Sequence, residues 1–284
     1  MSALAVSGTG FRGPIGAAAP IQIASGHSVS FQIAFEPQAG QPAQGTLTVD
    51  QRSFVLTGQG LDPPLPTASI QLGSAVGVSA QQNNISIPLG SPSKVSGTGT
   101  LTMQFQPSVP GVTDDPAVEF LSGPKRAATV TISPGDTVAK FGSQSSVAFQ
   151  TGSTAGTIVF ILNLPNATQQ IILPISPAPV ILDTAGAVRR VNNLDVSVSG
   201  LDNTYTASQL AFTFYDRNGT TIQPGVIRVD ATSDFRLYFV ASQVGGQFAL
   251  LATFPVSGDV NVVAGFDVQI TNSVGATKTQ KITF

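Results

Sequence analysis

The 284-residue chain contains no cysteine. Disulfide staples, thiolate metal sites and cysteine nucleophiles are thereby excluded, while secretion stays compatible. Charge is scarce as well: Asp, Glu, Lys and Arg together make up 10% of residues, with a net charge of −2. Such a balance gives no electrostatic basis for binding nucleic acid or anionic lipid. Lys125-Arg126 and Arg189-Arg190 are isolated basic pairs, not a patch. Glutamate occurs only at Glu36 and Glu119, so the facing carboxylates of a glycosidase have few sources. No apolar run approaches the roughly 20 residues of a membrane helix, so no membrane insertion is expected. Residues 1–25 lack the basic start and unbroken apolar stretch of a leader peptide. The chain reads as a fragment of a longer exported precursor.

What is present is alternation. Val29-Ser30-Phe31-Gln32-Ile33-Ala34-Phe35-Glu36-Pro37 and Gly99-Thr100-Leu101-Thr102-Met103-Gln104-Phe105-Gln106-Pro107 both run apolar/polar and end in Phe-Glx-Pro. A two-residue period marks a strand with one buried and one wet face, and proline closes it because it has no N–H for a ladder. Apolar residues make up 42% of the chain, enough for several cores. Strands are predicted at 29–35, 47–49 and 54–56, with Phe54 and Leu56 inward, and then at 70–78, 85–89, 100–105, 117–121, 129–132, 146–149, 157–164 and 170–175. Further on, Leu194/Val196/Val198, Leu210/Phe212/Phe214, Phe248/Leu250 and Phe266/Val268/Ile270 alternate in the same way. Asn218-Gly219 predicts a type I′ hairpin, with positive φ at both central residues. Helix content should be small, with one short turn at Thr206–Leu210. Pro63-Pro64-Leu65-Pro66 and the Pro174–Pro179 run read as semi-rigid joints. The expected fold is all-β: tandem immunoglobulin-like β-sandwiches over 1–62, 63–178 and 179–284.

The first unit resembles the C-terminal part of ASH-type immunoglobulin-like modules (abnormal-spindle and hydin-like), which also occur in bacterial "choice-of-anchor D" surface proteins. The matching residues are Val6-Ser7-Gly8 through Phe11, Ile23-Ala24-Ser25-Gly26-His27-Ser28-Val29-Ser30-Phe31, and Phe35-Glu36-Pro37. They continue with Gly40, Gly45-Thr46-Leu47-Thr48-Val49 and Phe54-Val55-Leu56-Thr57-Gly58-Gln59-Gly60. The family pattern begins with a further strand or two that this chain lacks. A sandwich without its first strand exposes an edge and an open core, so this unit should be weak alone or borrow a strand. The later units look like the C-terminal region of large secreted acidobacterial proteins, which implies no activity.

Few residues suggest chemistry. Gly8-Thr9-Gly10-Phe11-Arg12-Gly13 matches G-x-G-x-x-G, but Pro14, Gly16 and Pro20 follow where a phosphate-binding helix would start. It reads as a turn. His27, the only histidine, lies between Ser25 and Ser28 without a carboxylate to orient it and reads as a solvated turn residue. Asp114, Asp115 and Glu119 form the tightest acidic cluster; loop oxygens of this kind suit Ca²⁺, against the reading of a solvated acidic loop. Asp216-Arg217-Asn218-Gly219 opens like a calcium loop but lacks the closing glutamate, which favours the hairpin. Tyr205, Tyr215 and Tyr238 are candidates for a ligand surface that stacks sugars, or for core residues. No cofactor motif and no catalytic set is found.

Two functions compete. One is a non-enzymatic structural protein of the bacterial cell surface or extracellular space, a spacer or fibre subunit. Its partner would be protein: other surface proteins, or further copies of itself joined head to tail by strand donation. The other is an adhesin or carbohydrate-binding module, with a glycan bound on the last unit.

Overall fold

The computed structural model describes residues 1–37, 40–242 and 245–284. Two compact units emerge, Met1–Pro66 with Ser93–Ser96, and Thr67–Pro92 with Gly97–Phe284.

The first unit contains β1 (Leu4–Gly8), β2 (Phe11–Ile15), β3 (Gln32–Phe35), β4 (Pro42–Val49) and β5 (Arg52–Gln59). They form an antiparallel sheet β1-β4-β5 and a two-stranded ribbon β2-β3. The Phe11 and Phe35 rings pack at a tilt, 4.8 Å between centroids. A side-chain carbon placed on Gly45 would strike the Phe11 ring, and one on Gly58 the Phe35 ring. Glycine is thus required where the rings close on the sheet. Phe54, predicted to point inward, is 50% exposed although it shares the face of Leu47 and Gly58. No hydrophobic side chain among the described residues of 1–66 is buried. The predicted strand at 29–35 is also cut short: only Gln32–Phe35 pairs, and Val29 is 37% exposed.

The second unit begins with β6 (Gln71–Leu72), β7 (Gln82–Ser86), β8 (Gly97–Pro107), β9 (Val118–Phe120), β10 (Ala127–Ile132), β11 (Ser146–Thr151), β12 (Gly156–Leu164) and β13 (Ala167–Ile175). One sheet runs β6-β7-β11-β9, the other β10-β8-β12-β13. Their inner faces meet through Ile85, Phe149 and Val118 on one side and Leu101, Ile158, Phe160 and Leu173 on the other, all fully buried. Phe149 meets Phe160 edge to face at 4.9 Å. The long predicted strand at 70–78 shrinks to two residues, and Gly77 crosses over to bridge Ile175 in parallel.

The chain continues with β14 (Ile181–Arg189), β15 (Asn193–Leu201), β16 (Gln209–Tyr215), β17 (Thr221–Asp230), α1 (Thr232–Ala241), β18 (Gln247–Pro255), β19 (Gly265–Thr271), β20 (Ala276–Lys278) and β21 (Ile282–Thr283). Here the sheets are β14-β15-β18 and β17-β16-β19-β20, with β21 also on β19. With β9 set aside, this repeats the order of the preceding sandwich. First, second and fifth strands share one sheet; the third, with its hairpin partner, joins the sixth and seventh on the other. That is the immunoglobulin-like division. The fold is therefore all-β, with tandem immunoglobulin-like sandwiches, and its layers bury Phe212, Phe266, Val268 and Ile270.

Two local expectations are corrected. Thr206–Leu210 forms no helix; the described α-helix is α1. Asp230 starts it by accepting from the Thr232 N–H and hydroxyl at 3.0 and 2.6 Å, and Phe235 and Phe239, four residues apart, are its buried face. At Asn218-Gly219 only the glycine has positive φ, at 82°. The Asp216 carboxylate accepts from Asn218 N and Thr220 N at 2.9 and 2.8 Å, which selects a side-chain-capped turn over type I′. Among the described residues no helix is long and apolar enough to cross a membrane.

Candidate functional site

The densest polar chemistry lies where the two sandwiches of the second unit meet. Asp115 is 1% exposed and Asp202 0%. A buried carboxylate persists only when its lone pairs are taken by donors. Asp115 Oδ1 accepts from Ala117 N at 2.9 Å, and Oδ2 from Ser153 N, Ser153 Oγ and Thr154 Oγ1 at 2.7, 3.1 and 2.8 Å. Asp202 Oδ1 accepts from Thr204 N, Thr204 Oγ1 and Asn272 Nδ2, and Oδ2 from Thr206 N and Ala207 N, all between 2.6 and 3.1 Å.

Direction can be assigned because a carboxylate only accepts. The Thr154 hydroxyl gives its hydrogen to Asp115, so at 2.7 Å it must accept from the Tyr205 hydroxyl. In parallel, Gly246 N donates to Ser153 Oγ at 3.0 Å, and that hydroxyl donates to the same carboxylate oxygen. Two relays from the later sandwich therefore end on one acid of the earlier one. Alongside, Asn203 donates through Nδ2 to Ser79 Oγ and the Ser176 carbonyl, both 2.9 Å, and accepts Ala178 N at 3.0 Å. Asn272 Nδ2 also reaches the Ala178 carbonyl at 2.8 Å. The proline-rich linker is thus held by both asparagines. A methyl on Gly246 would collide with the carbonyls of Asp202 and Ser153, so only glycine allows this approach.

The acids read as calcium candidates are engaged otherwise. Asp114 pairs with Arg126 at 2.7 Å, Glu119 with Lys125 at 2.8 Å, and Asp115 anchors the joint. Among the described residues no three acidic, histidine or cysteine side chains converge as metal ligands. Tyr205 and Tyr238 both pack on Phe239, and Tyr215 lies apart from them. Tyr205, held at a left-handed φ of 58°, stacks on Phe239 at 4.9 Å beside the joint. Tyr238 meets Phe239 edge to face. Tyr215 ends β16 at the other extremity, donating to Asp267 Oδ2 at 2.6 Å, while Lys278 holds that oxygen at 3.0 Å and Lys281 covers the ring. His27 is exposed, with its N–H bonded to the Ala24 carbonyl.

Sequence reasoning picked out Asp115 and Tyr205 for other roles and missed Ser153, Thr154, Asp202, Asn203 and Asn272. The available signal was the run Asp202-Asn203-Thr204-Tyr205-Thr206, whose short side chains cap neighbouring N–H groups.

Burial, with the charges of Asp115 and Asp202 nearby, raises the Tyr205 phenol above its ordinary value near 10. The hydrogen bond to Asp267 does the same for Tyr215. Folded-state values above the unfolded ones mean that these phenols support the fold below about pH 10 and lose that contribution as pH climbs through the raised values. In an ultraviolet titration of the folded protein, Tyr205 and Tyr215 should ionise late. Tyr205→Phe and Tyr215→Phe should each remove one late component, and a profile that neither substitution changes above about pH 10 would contradict the assignment.

No family model matches the chain, and no curated protein does. Among solved structures, red sea bream transglutaminase is similar at 11% identity and a TM-score of 0.25, over 76% of this chain and 31% of that one. The N-terminal four immunoglobulin domains of Dscam1 isoform 4.44 are similar at 10% identity and a TM-score of 0.25, over 96% of this chain and 64% of that one. The chain thus spans less than two thirds of either, and the fold assignment rests on its own strand order.

Proposed function

We propose that this chain is a non-enzymatic structural protein, a stiff spacer or fibre subunit of the bacterial cell surface or extracellular space, with an ASH-type module at residues 1–62. The observation that supports this reading is the joint: buried Asp115 gathers the hydroxyls of Ser153 and Thr154, which Gly246 N and the Tyr205 hydroxyl of the next sandwich engage in turn, while buried Asp202 braces the turn that carries Tyr205. The adhesin alternative has less support, because Tyr205 and Tyr215 spend their hydroxyls inside the chain, on Thr154 and Asp267.

The joint can be tested with spin labels. In this Cys-free chain, Ser143→Cys and Arg217→Cys put one label on an exposed site of each sandwich. The inter-label distance distribution should be narrow, and Asn203→Ala should broaden it. A broad distribution in the Asn203 background would refute the spacer reading.

A further inference from the structure

The two sandwiches differ at one edge. In the earlier sandwich β11 is flanked by β9, antiparallel, with Phe120 opposite Phe149, Glu119 opposite Gln150 and Val118 opposite Thr151. Val118 and Phe120 are buried there, closing the layer. In the later sandwich β18 is the counterpart of β11, yet its sheet ends with it. Helix α1 covers part of the gap. What remains is an open cleft of about 360 Å³ lined by Val229, Asp234, Tyr238, Leu250, Leu251 and Ala252. Val229 faces inward beside Leu210, but it is 38% exposed, and Leu251 on the rim is 68% exposed. A nine-residue strand thus offers unpaired N–H and C=O groups above an unsealed core.

The sister sheet shows what fits: an extended segment of pattern Val-x-Phe, antiparallel to the edge. The same pattern stands at Val29-Ser30-Phe31. Residues 28–31 make no hydrogen bond to another described residue, and 28–30 are exposed. They have the alternation of a strand and no strand beside them.

We propose that Ser28–Phe31 of a second copy of this chain docks antiparallel on β18 and supplies the missing edge strand. This rests on the structural reading above and names the contact through which copies join. Val29 then lies over Ala252, Ser30 opposite Leu251, and Phe31 over Leu250, with both apolar side chains turned into the cleft. Main-chain hydrogen bonds supply affinity and the alternate side chains supply register. Donor and acceptor are different surfaces, so the contact is heterologous and propagates from copy to copy.

Because the chain has no cysteine, introduced thiols are unique. Full-length Ser30→Cys and Leu251→Cys, purified separately and mixed under mild oxidation, should give a mixed dimer in several-fold excess over either variant's own dimer, with the 30–251 link identified by peptide mass mapping. In sedimentation, the unmodified chain should self-associate with rising concentration. Ser30→Pro, which removes a ladder donor at a site free of internal bonds, should weaken association roughly tenfold or more. A chain that stays monomeric overturns the proposal. So does one that associates with no preference for the 30–251 link and no response to Ser30→Pro. In both cases the spin-label result decides the spacer reading on its own.

Discussion

Phe212→Ala should lower the stability of the later sandwich by about 3–5 kcal/mol, the usual cost of emptying an aromatic site in a core that cannot collapse. Phe212 is 0% exposed and sits mid-strand in β16, between Ile227 of β17 and Val268 of β19. Its ring meets Phe254 of the facing sheet edge to face at 4.8 Å, so truncation also removes a contact across the layers. The chain has three tyrosines, at 205, 215 and 238, and no tryptophan. Tyrosine fluorescence during urea denaturation therefore reports this sandwich and its joint with the preceding one. The midpoint should fall with little change in slope. An unchanged midpoint would mean that the strand register described for β16 is wrong.

Asp202→Ala should be comparably damaging for a different reason. The substitution leaves the N–H groups of buried Thr204 and Ala207, and that of Thr206, without their acceptor. Each buried orphaned donor costs about 1–3 kcal/mol, so a loss of roughly 2 kcal/mol or more is expected. Asp202→Asn separates shape from charge. It keeps the volume, but its amide NH₂ must face donors that already point at that position, so it too should destabilise. Thermal melts of both variants check this. If Asp202→Asn matched the parent protein, the carboxylate would be replaceable and the donor count would not matter.

The sandwich class was legible because a period of two survives wherever one face is buried. The alternation at Leu210/Phe212/Phe214 and Phe266/Val268/Ile270 maps onto β16 and β19 residue for residue. Helix α1 was hidden because its aromatic and β-branched residues favour strands, and only the Phe235–Phe239 spacing hinted otherwise. Phe54 could not be assigned from its own strand, since exposure there depends on how far the β2-β3 ribbon reaches. The joint was half legible. Asp115 stood out as an acid in a loop, but a single sequence cannot reveal that its donors come from residues 153 and 154 and, through them, from residues 205 and 246. Such pairing is set by tertiary closure, with no local period to announce it.

The glycine-faced layer of the first unit, where two phenylalanine rings close on Gly45 and Gly58 without one fully sealed aliphatic neighbour, has a kinetic consequence. Opening free energy follows local contact density, so this end should breathe far more often than the interlocked remainder. A fluctuating end sweeps a wider capture radius than a rigid one and speeds encounter with a distant partner. The thinness that makes the end fragile thereby equips it to reach.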